Sequence, residues 1–131
     1  MICGVDEWDS KSGSPGAVHM ARQLAMRFER PLLFVTVIDA DCDETSRAAA
    51  EDLLRHMVET SSDVDASSTV EEGHPADRLL ALAGEREASF VVVGNHGPRS
   101  SFLGSISADV SRRAPCPVVV VPRTVTQFEA V

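Results

Sequence analysis

The sequence predicts a single α/β domain, doubly wound in three layers, and three observations carry that prediction. Short aliphatic runs alternate with longer helical patterns along the chain, which is the signature of βαβ units and a parallel sheet. The runs Val91-Val92-Val93 and Val118-Val119-Val120-Val121 are apolar at successive positions, so helices are needed on both faces of the strands. The length, 131 residues of which 44% are apolar, suffices for the core of one domain and not for those of two.

Five strands are expected, at Ile2 to Val5, Leu32 to Ile38, Ser67 to Glu71, Phe90 to Val93 and Val118 to Val121. The first helix starts with Ser14 as N-cap and Pro15 at the first helical position, and carries Val18, Ala21, Ala25 and Phe28 on one stripe until Pro31 stops it. A second follows Asp41, which stands at capping-box spacing from Glu44; its stripe runs Ala49, Leu53, Met57 with Ala50, Leu54 and Val58 beside it. The third opens at Pro75 and carries Leu79, Leu80 and Ala83. The fourth runs from about Gly104 to Arg113, with Leu103, Ile106 and Val110 on the core side and Arg112 and Arg113 in its last turn, before Pro115 and Pro117 end it. Glu7 to Gly13 and Ser61 to Ser68 read as polar surface loops, and Arg123 to Val131 as a tail.

Twelve Lys plus Arg against twenty Asp plus Glu give a net charge of −8, which argues against a nucleic-acid partner or an anionic membrane surface. Lys11 is the sole lysine and sits among Ser, Asp and Gly, so Walker-type phosphate clamps and Schiff-base chemistry lack their usual residue. Cys3, Cys42 and Cys116 are widely and irregularly spaced, with no metal-ligand pattern, as expected in a reducing compartment. Neither a signal peptide nor a membrane span is visible, and the cytoplasm is the default location.

In an open parallel sheet, ligands sit beyond the carboxyl ends of the strands where strand order reverses, so the residues just after each strand matter most. These are Asp6, Asp39, Glu72-Gly73-His74-Pro75 and Gly94-Asn95-His96-Gly97, and of these only the last leads into a Gly-Ser helix start. Gly94 and Gly97 lack a Cβ, so their backbone N–H groups can approach a phosphate, and Gly104-Ser105 opens a helix whose free N–H groups and dipole favour an anion. Ser100, Ser101 and Ser105 add hydroxyl donors. From spacing alone, glycines that merely turn the chain from strand to helix explain the pattern equally well.

The stretch VVVGNHGPRSSFLGSISADVSRRAPCPVVVVP resembles the nucleotide signature of the universal stress protein family: Gly, two residues, Gly, nine residues, then Gly-Ser or Gly-Thr. An Ala-Pro-Cys-Pro before a valine-rich last strand, Val5-Asp6 closing strand one, Val35 to Asp39 closing strand two, and Glu72-Gly73-His74-Pro75-Ala76 opening helix three are similar to the family as well, so the resemblance spans residues 2 to 122. It implies a Rossmann-like fold of the adenine nucleotide alpha hydrolase type, with a five-stranded parallel sheet of order 3-2-1-4-5 and about four helices, often dimeric through the last strand and in some members binding ATP. By motif position, Asp6 at the end of Val5 and Val37 would hold the adenosine end. Gly94, Asn95, His96, Gly97, Arg99, Gly104, Ser105 and Ile106 would line the ribose and phosphates, with Mg²⁺ assisting because Arg99 is the sole arginine of the loop. Gly97 and Gly104 are separated by six residues where the family's ATP-binding pattern has nine. The resemblance therefore leaves two readings open: an adenine-nucleotide binder acting in stress response or signalling, and a dimeric stress or interaction protein of the same fold that does not bind ATP. For slow ATP hydrolysis, neither a Walker lysine nor a paired base is visible.

Asp6 can instead cap the loop that follows it. Trp8 is either a lid over an adenine face or a loop anchor. His96 has no carboxylate visibly paired to it, and His19, His56 and His74 are dispersed, so no metal site is expected. The acidic group Asp39, Asp41, Asp43 and Glu44 fits helix-start capping better than cation binding. Cys42 in that setting is expected to be a poor nucleophile, and Cys3 to be core. Val118 to Val121, as an apolar edge, is expected to pair with its own copy in a homodimer unless the tail folds over it.

Overall fold

The computed structural model describes residues 1–5, 16–95 and 105–122, and these form five strands and four helices in strict alternation. In chain order they are β1 (Ile2–Gly4), α1 (Gly16–Phe28), β2 (Leu32–Ile38), α2 (Glu44–Glu59), β3 (Ala66–Glu72), α3 (Pro75–Glu85), β4 (Val91–Asn95), α4 (Ser105–Arg113) and β5 (Val118–Pro122). The strands make one parallel sheet of order β3-β2-β1-β4-β5, the order implied by the family resemblance.

Strand periodicity sorts the apolar side chains into two cores, one on each face. Cys3, Val5, Leu32, Phe34, Val92 and Val121 face α1 and α2, where they meet Ala17, Val18, Ala21, Ala25, Leu54 and Met57. Ile2, Leu33, Val35, Val91 and Val93 face α3 and α4, where they meet Ala76, Leu79, Leu82, Ala83 and Val110. The runs that are apolar at every position are thereby explained, because each residue in them has a core to enter. Gly4 is the exception that lets α3 approach: a Cβ there would lie 3.3 Å from Leu79 Cδ1.

Several expectations shift in detail. Phe28 is half exposed rather than core, because the buried stripe of α1 stops at Ala25 and Phe28 stacks at 5.5 Å on Phe90, just before β4. The α2 cap is Asp43, not Asp41: a turn closed by the Cys42 N–H on the Asp39 carbonyl (3.1 Å) moves the start along, and the Asp43 carboxylate accepts from the Ser46 N–H at 2.8 Å. That bond lowers the Asp43 pKa. The buried line of α2 is Ala50, Leu54 and Met57, which leaves Ala49 exposed. Ser61 is buried where a surface loop was expected, and Ala66 to Ser68 already belong to β3. Ile106 is 41% exposed, since Ser107 and Val110 are the residues of α4 that turn inward. The remaining expected features at Ser14, Pro15, Leu103, the Glu7 to Gly13 loop and the tail lie outside the described residues.

At its carboxyl end β3 is tied down on both faces. Glu71 accepts from Arg78 of α3 at 2.6 Å and from the Thr69 hydroxyl at 2.9 Å, while Glu72 meets Arg47 of α2 at 2.8 Å. Gly73 then turns the chain at φ +124°, with its N–H on the Ile38 carbonyl at 2.9 Å. The Arg78 bond, aided by Thr69, holds the Glu71 carboxyl below the usual carboxylate range, and the same ion pair raises the pKa of Arg78.

Two glycines should respond oppositely to alanine. Gly73→Ala forces a side chain into a φ it rarely adopts, with an expected loss of about 1–3 kcal/mol read as a lower urea midpoint at unchanged slope. Gly84→Ala, where an added Cβ has nothing within 4 Å, should add about 0.4–1 kcal/mol of stability, read as a higher urea midpoint.

Acid should release the Glu71 tie. A carboxyl whose folded pKa is depressed contributes stability that is present above its unfolded value, near 4.5, and is lost as pH falls through the folded value. Both partners are partly exposed, so the contribution at neutral pH is under about 1 kcal/mol. Thermal melts of Glu71→Gln should show a smaller fall in Tm from about pH 6 to 3 than the wild type; parallel falls would show that Glu71 is not part of the acid response.

Candidate functional site

The sheet reverses direction between β1 and β4: the chain leaves β1 toward β2 on one side and leaves β4 toward β5 on the other. A crevice beyond the carboxyl ends of these two central strands follows from that connectivity. Ile2 pairs with Val91 and Cys3 with Val92, so the same register carried two residues further sets Val5 level with Gly94. On the other flank, the Val5 N–H donates to the Val35 carbonyl at 2.8 Å, and the Thr36 hydroxyl donates to the Val5 carbonyl at 3.0 Å. Gly94 in turn pairs with Val121.

The edge thus runs from Thr36 through Val5 and Gly94 to Val121. Sequence alternation turns all four toward the α1 side of the sheet. Val37, one residue on, is half-buried and packs against the opposite core. Three expected site residues, Val5, Val37 and Gly94, are therefore gathered at one end of the sheet, and Asn95 extends β4 there by one further backbone unit. Ser105 and Ile106 form the first turn of α4. Asp6, His96, Gly97, Arg99 and Gly104 lie outside the described residues, as does Trp8.

The described arginines around this end are already engaged. Arg78 and Arg47 are held by Glu71 and Glu72, and hydrogen bonding to Glu72 raises the pKa of Arg47. In the last turn of α4, Arg112 pairs with Asp109 at 2.6 Å and Arg113 with Asp77 of α3 at 3.0 Å, so their charge serves the helix end and the α3–α4 contact. With those described arginines engaged, backbone N–H groups are the charge compensation that the described residues offer an anion at this edge. His74 stands at the N-cap of α3 without a side-chain capping bond. Among the described residues, no group of three or more His, Cys, Asp or Glu is disposed to hold a metal ion, and no helix is long and apolar enough to cross a membrane.

Thr36 is the feature that the sequence-based search overlooked. It is 8% exposed, one of the few buried polar residues, and it occupies a strand that is otherwise entirely apolar. That contrast, a hydroxyl inside Leu32-Leu33-Phe34-Val35-Thr36-Val37-Ile38, was the available signal. A separate groove of about 610 Å³ lies between α2 and β3, lined by Arg47, Arg55, Val58, Ser67 and Val70 among others; it holds none of the residues singled out from sequence.

The family model described as the universal stress protein family matches residues 1–122. A universal stress protein of Mycobacterium tuberculosis is 36% identical over 86 residues, which cover 61% of this chain and 59% of that protein. The chain spans between about a quarter and three fifths of the length of the first curated relatives that it matches. Among solved structures, universal stress protein UspA of Lactobacillus plantarum superposes with a TM-score of 0.77 at 22% identity, covering 92% of this chain and 95% of that one. A universal stress protein solved in complex with cAMP gives a TM-score of 0.69 at 28% identity, covering 92% and 94%. With the family model spanning both central strands and the crevice between them, the chain belongs to the universal stress protein family.

Proposed function

We propose that this chain binds an adenine nucleotide at the carboxyl edge of β1 and β4 and acts in stress response or signalling through the bound state. The observation that carries this reading is the gathering of Val5, Val37 and Gly94 at the switch point of the sheet, with the α4 helix start in the same connection. The similarity to a universal stress protein solved with cAMP supports an adenine nucleotide as the ligand class.

In this reading Val37 and Asp6 take the adenosine end, and a carboxylate at Asp6 accepts from ribose or base donors. Gly94, Asn95, His96 and Gly97 offer backbone N–H groups without steric obstruction at the glycines, and Gly104, Ser105 and Ile106 supply a helix start facing the phosphates. Arg99 contributes a cation; with a net charge of −8 and the nearby described arginines committed elsewhere, a triphosphate would bring Mg²⁺ with it. ATP with Mg²⁺ is the proposed ligand. The six residues between Gly97 and Gly104 specifically favour a second reading, a dimeric protein of the same fold whose shortened loop does not bind ATP.

Under either reading the protein acts in the cytoplasm as a homodimer through β5. Val118, Val119 and Val120 are only half-buried, and among the described residues β5 is an edge strand paired with β4.

Calorimetric titration of ATP with Mg²⁺ into nucleotide-free protein should give micromolar binding that Gly97→Val loses. No binding at millimolar ATP would remove the first reading and favour the second. Sedimentation at tens of micromolar should give a dimer, and Val119→Lys, which places a charge in the edge strand where Val119 packs against the α1-side core, should give a monomer that keeps the wild-type far-UV circular dichroism. A wild-type monomer would count against pairing through β5.

A further inference from the structure

We infer that Thr36 is a positioning residue for the adenosine end of the site, fixing through its hydroxyl the point at which β1 leaves the sheet. The inference rests on the nucleotide reading above and names a residue that this reading does not use. Three observations meet at Thr36. Its hydroxyl donates to the Val5 carbonyl at 3.0 Å, and Val5 directly precedes Asp6. Thr36 itself directly precedes Val37. The bond lies within the core, with Thr36 8% and Val5 5% exposed, so water is a poor substitute for it.

The chemistry of the strand edge explains the need for such a tie. The Val5 N–H is still held by Val35, at 2.8 Å, but β1 ends at Gly4. At that point the Val5 carbonyl is an acceptor at the last level of the central strand, and a buried acceptor must be satisfied. Thr36 answers it with a side chain rather than with another rung of backbone pairing. One hydroxyl therefore couples the exit of β1 to the strand position just before Val37, and with it the two residues assigned to the adenosine end. A hydroxyl one carbon from the backbone supplies this bond, and an apolar residue of the same shape leaves the carbonyl unpaired.

The test separates the hydroxyl from the methyl. Titrate AMP, and ATP with Mg²⁺, into the wild type, Thr36→Val, Thr36→Ser and Thr36→Ala, and record the Tm of each without nucleotide. Affinity should follow the hydroxyl: Thr36→Val and Thr36→Ala weaken binding about tenfold, equally for AMP and ATP, while Thr36→Ser stays within about twofold of the wild type. Stability need not follow the same order, since Thr36→Ser loses a buried methyl and lowers Tm while keeping affinity. A merely structural residue would instead lose affinity in step with Tm. The inference is overturned if Thr36→Val binds like the wild type, if Thr36→Ser loses as much as Thr36→Val, or if the loss is confined to ATP. A wild type that binds neither nucleotide overturns the nucleotide reading and this inference together; binding that is intact in Thr36→Val overturns this inference alone.

Discussion

The whole domain is assembled around β1, a strand of three residues with neighbours on both edges and a helix layer on both faces. Ile2 and Cys3 are almost completely buried, one in each core, so this short segment feeds both hydrophobic layers. A strand that short provides few backbone bonds of its own and holds its place because β2 and β4 pair with it in parallel register, Cys3 lying between Phe34 and Val92. A slip of β1 by one residue would send Ile2 and Cys3 each to the opposite face of the sheet. The crevice at the end of the sheet inherits its geometry from this arrangement, because Val5 stands one step beyond the last position at which β1 pairs with β2.

What was legible in the sequence follows from this constraint. Strands buried on both faces are apolar without interruption, so Leu32 to Ile38 and Val118 to Val121 were visible as runs, and the alternation of such runs with helical stripes gave the layer architecture. The strand order came from resemblance, because periodicity does not encode which strands are neighbours. Boundaries moved where a tertiary contact or a turn outweighed local preference. Phe28 fits the α1 stripe by spacing but meets Phe90 in three dimensions, and the Asp39 to Cys42 turn shifts the α2 cap to Asp43. Ile106 fits the α4 stripe equally well, yet Ser107 takes the inward position, because the angle at which a short helix sits on its neighbours is set by packing and not by its own sequence.

The candidate site was read from the residues at and just after the strand ends, and of these Val5, Val37 and Gly94 lie at one end of the sheet. Its electrostatics were only partly legible. Counting charges gave an acidic protein, but the pairing of Arg47 with Glu72 and of Arg78 with Glu71 depends on which faces of β3 meet which helices. These pairs consume positive charge beside the crevice and brace the ends of β3 against α2 and α3. Thr36 was hidden for the opposite reason: one hydroxyl in an apolar run reads as tolerated noise until its acceptor is known.

Gly4 carries a consequence of another kind. A Cβ at this position would lie 3.3 Å from a methyl of Leu79, so the carbon missing from β1 lets α3 pack closely on the central strand. Arg78, next to Leu79 on α3, holds Glu71, so the same helix also braces the end of β3. Positions 4 and 79, far apart in the chain, are thus coupled by volume: an alanine at position 4 fits only if the Leu79 side chain gives by a few tenths of an ångström.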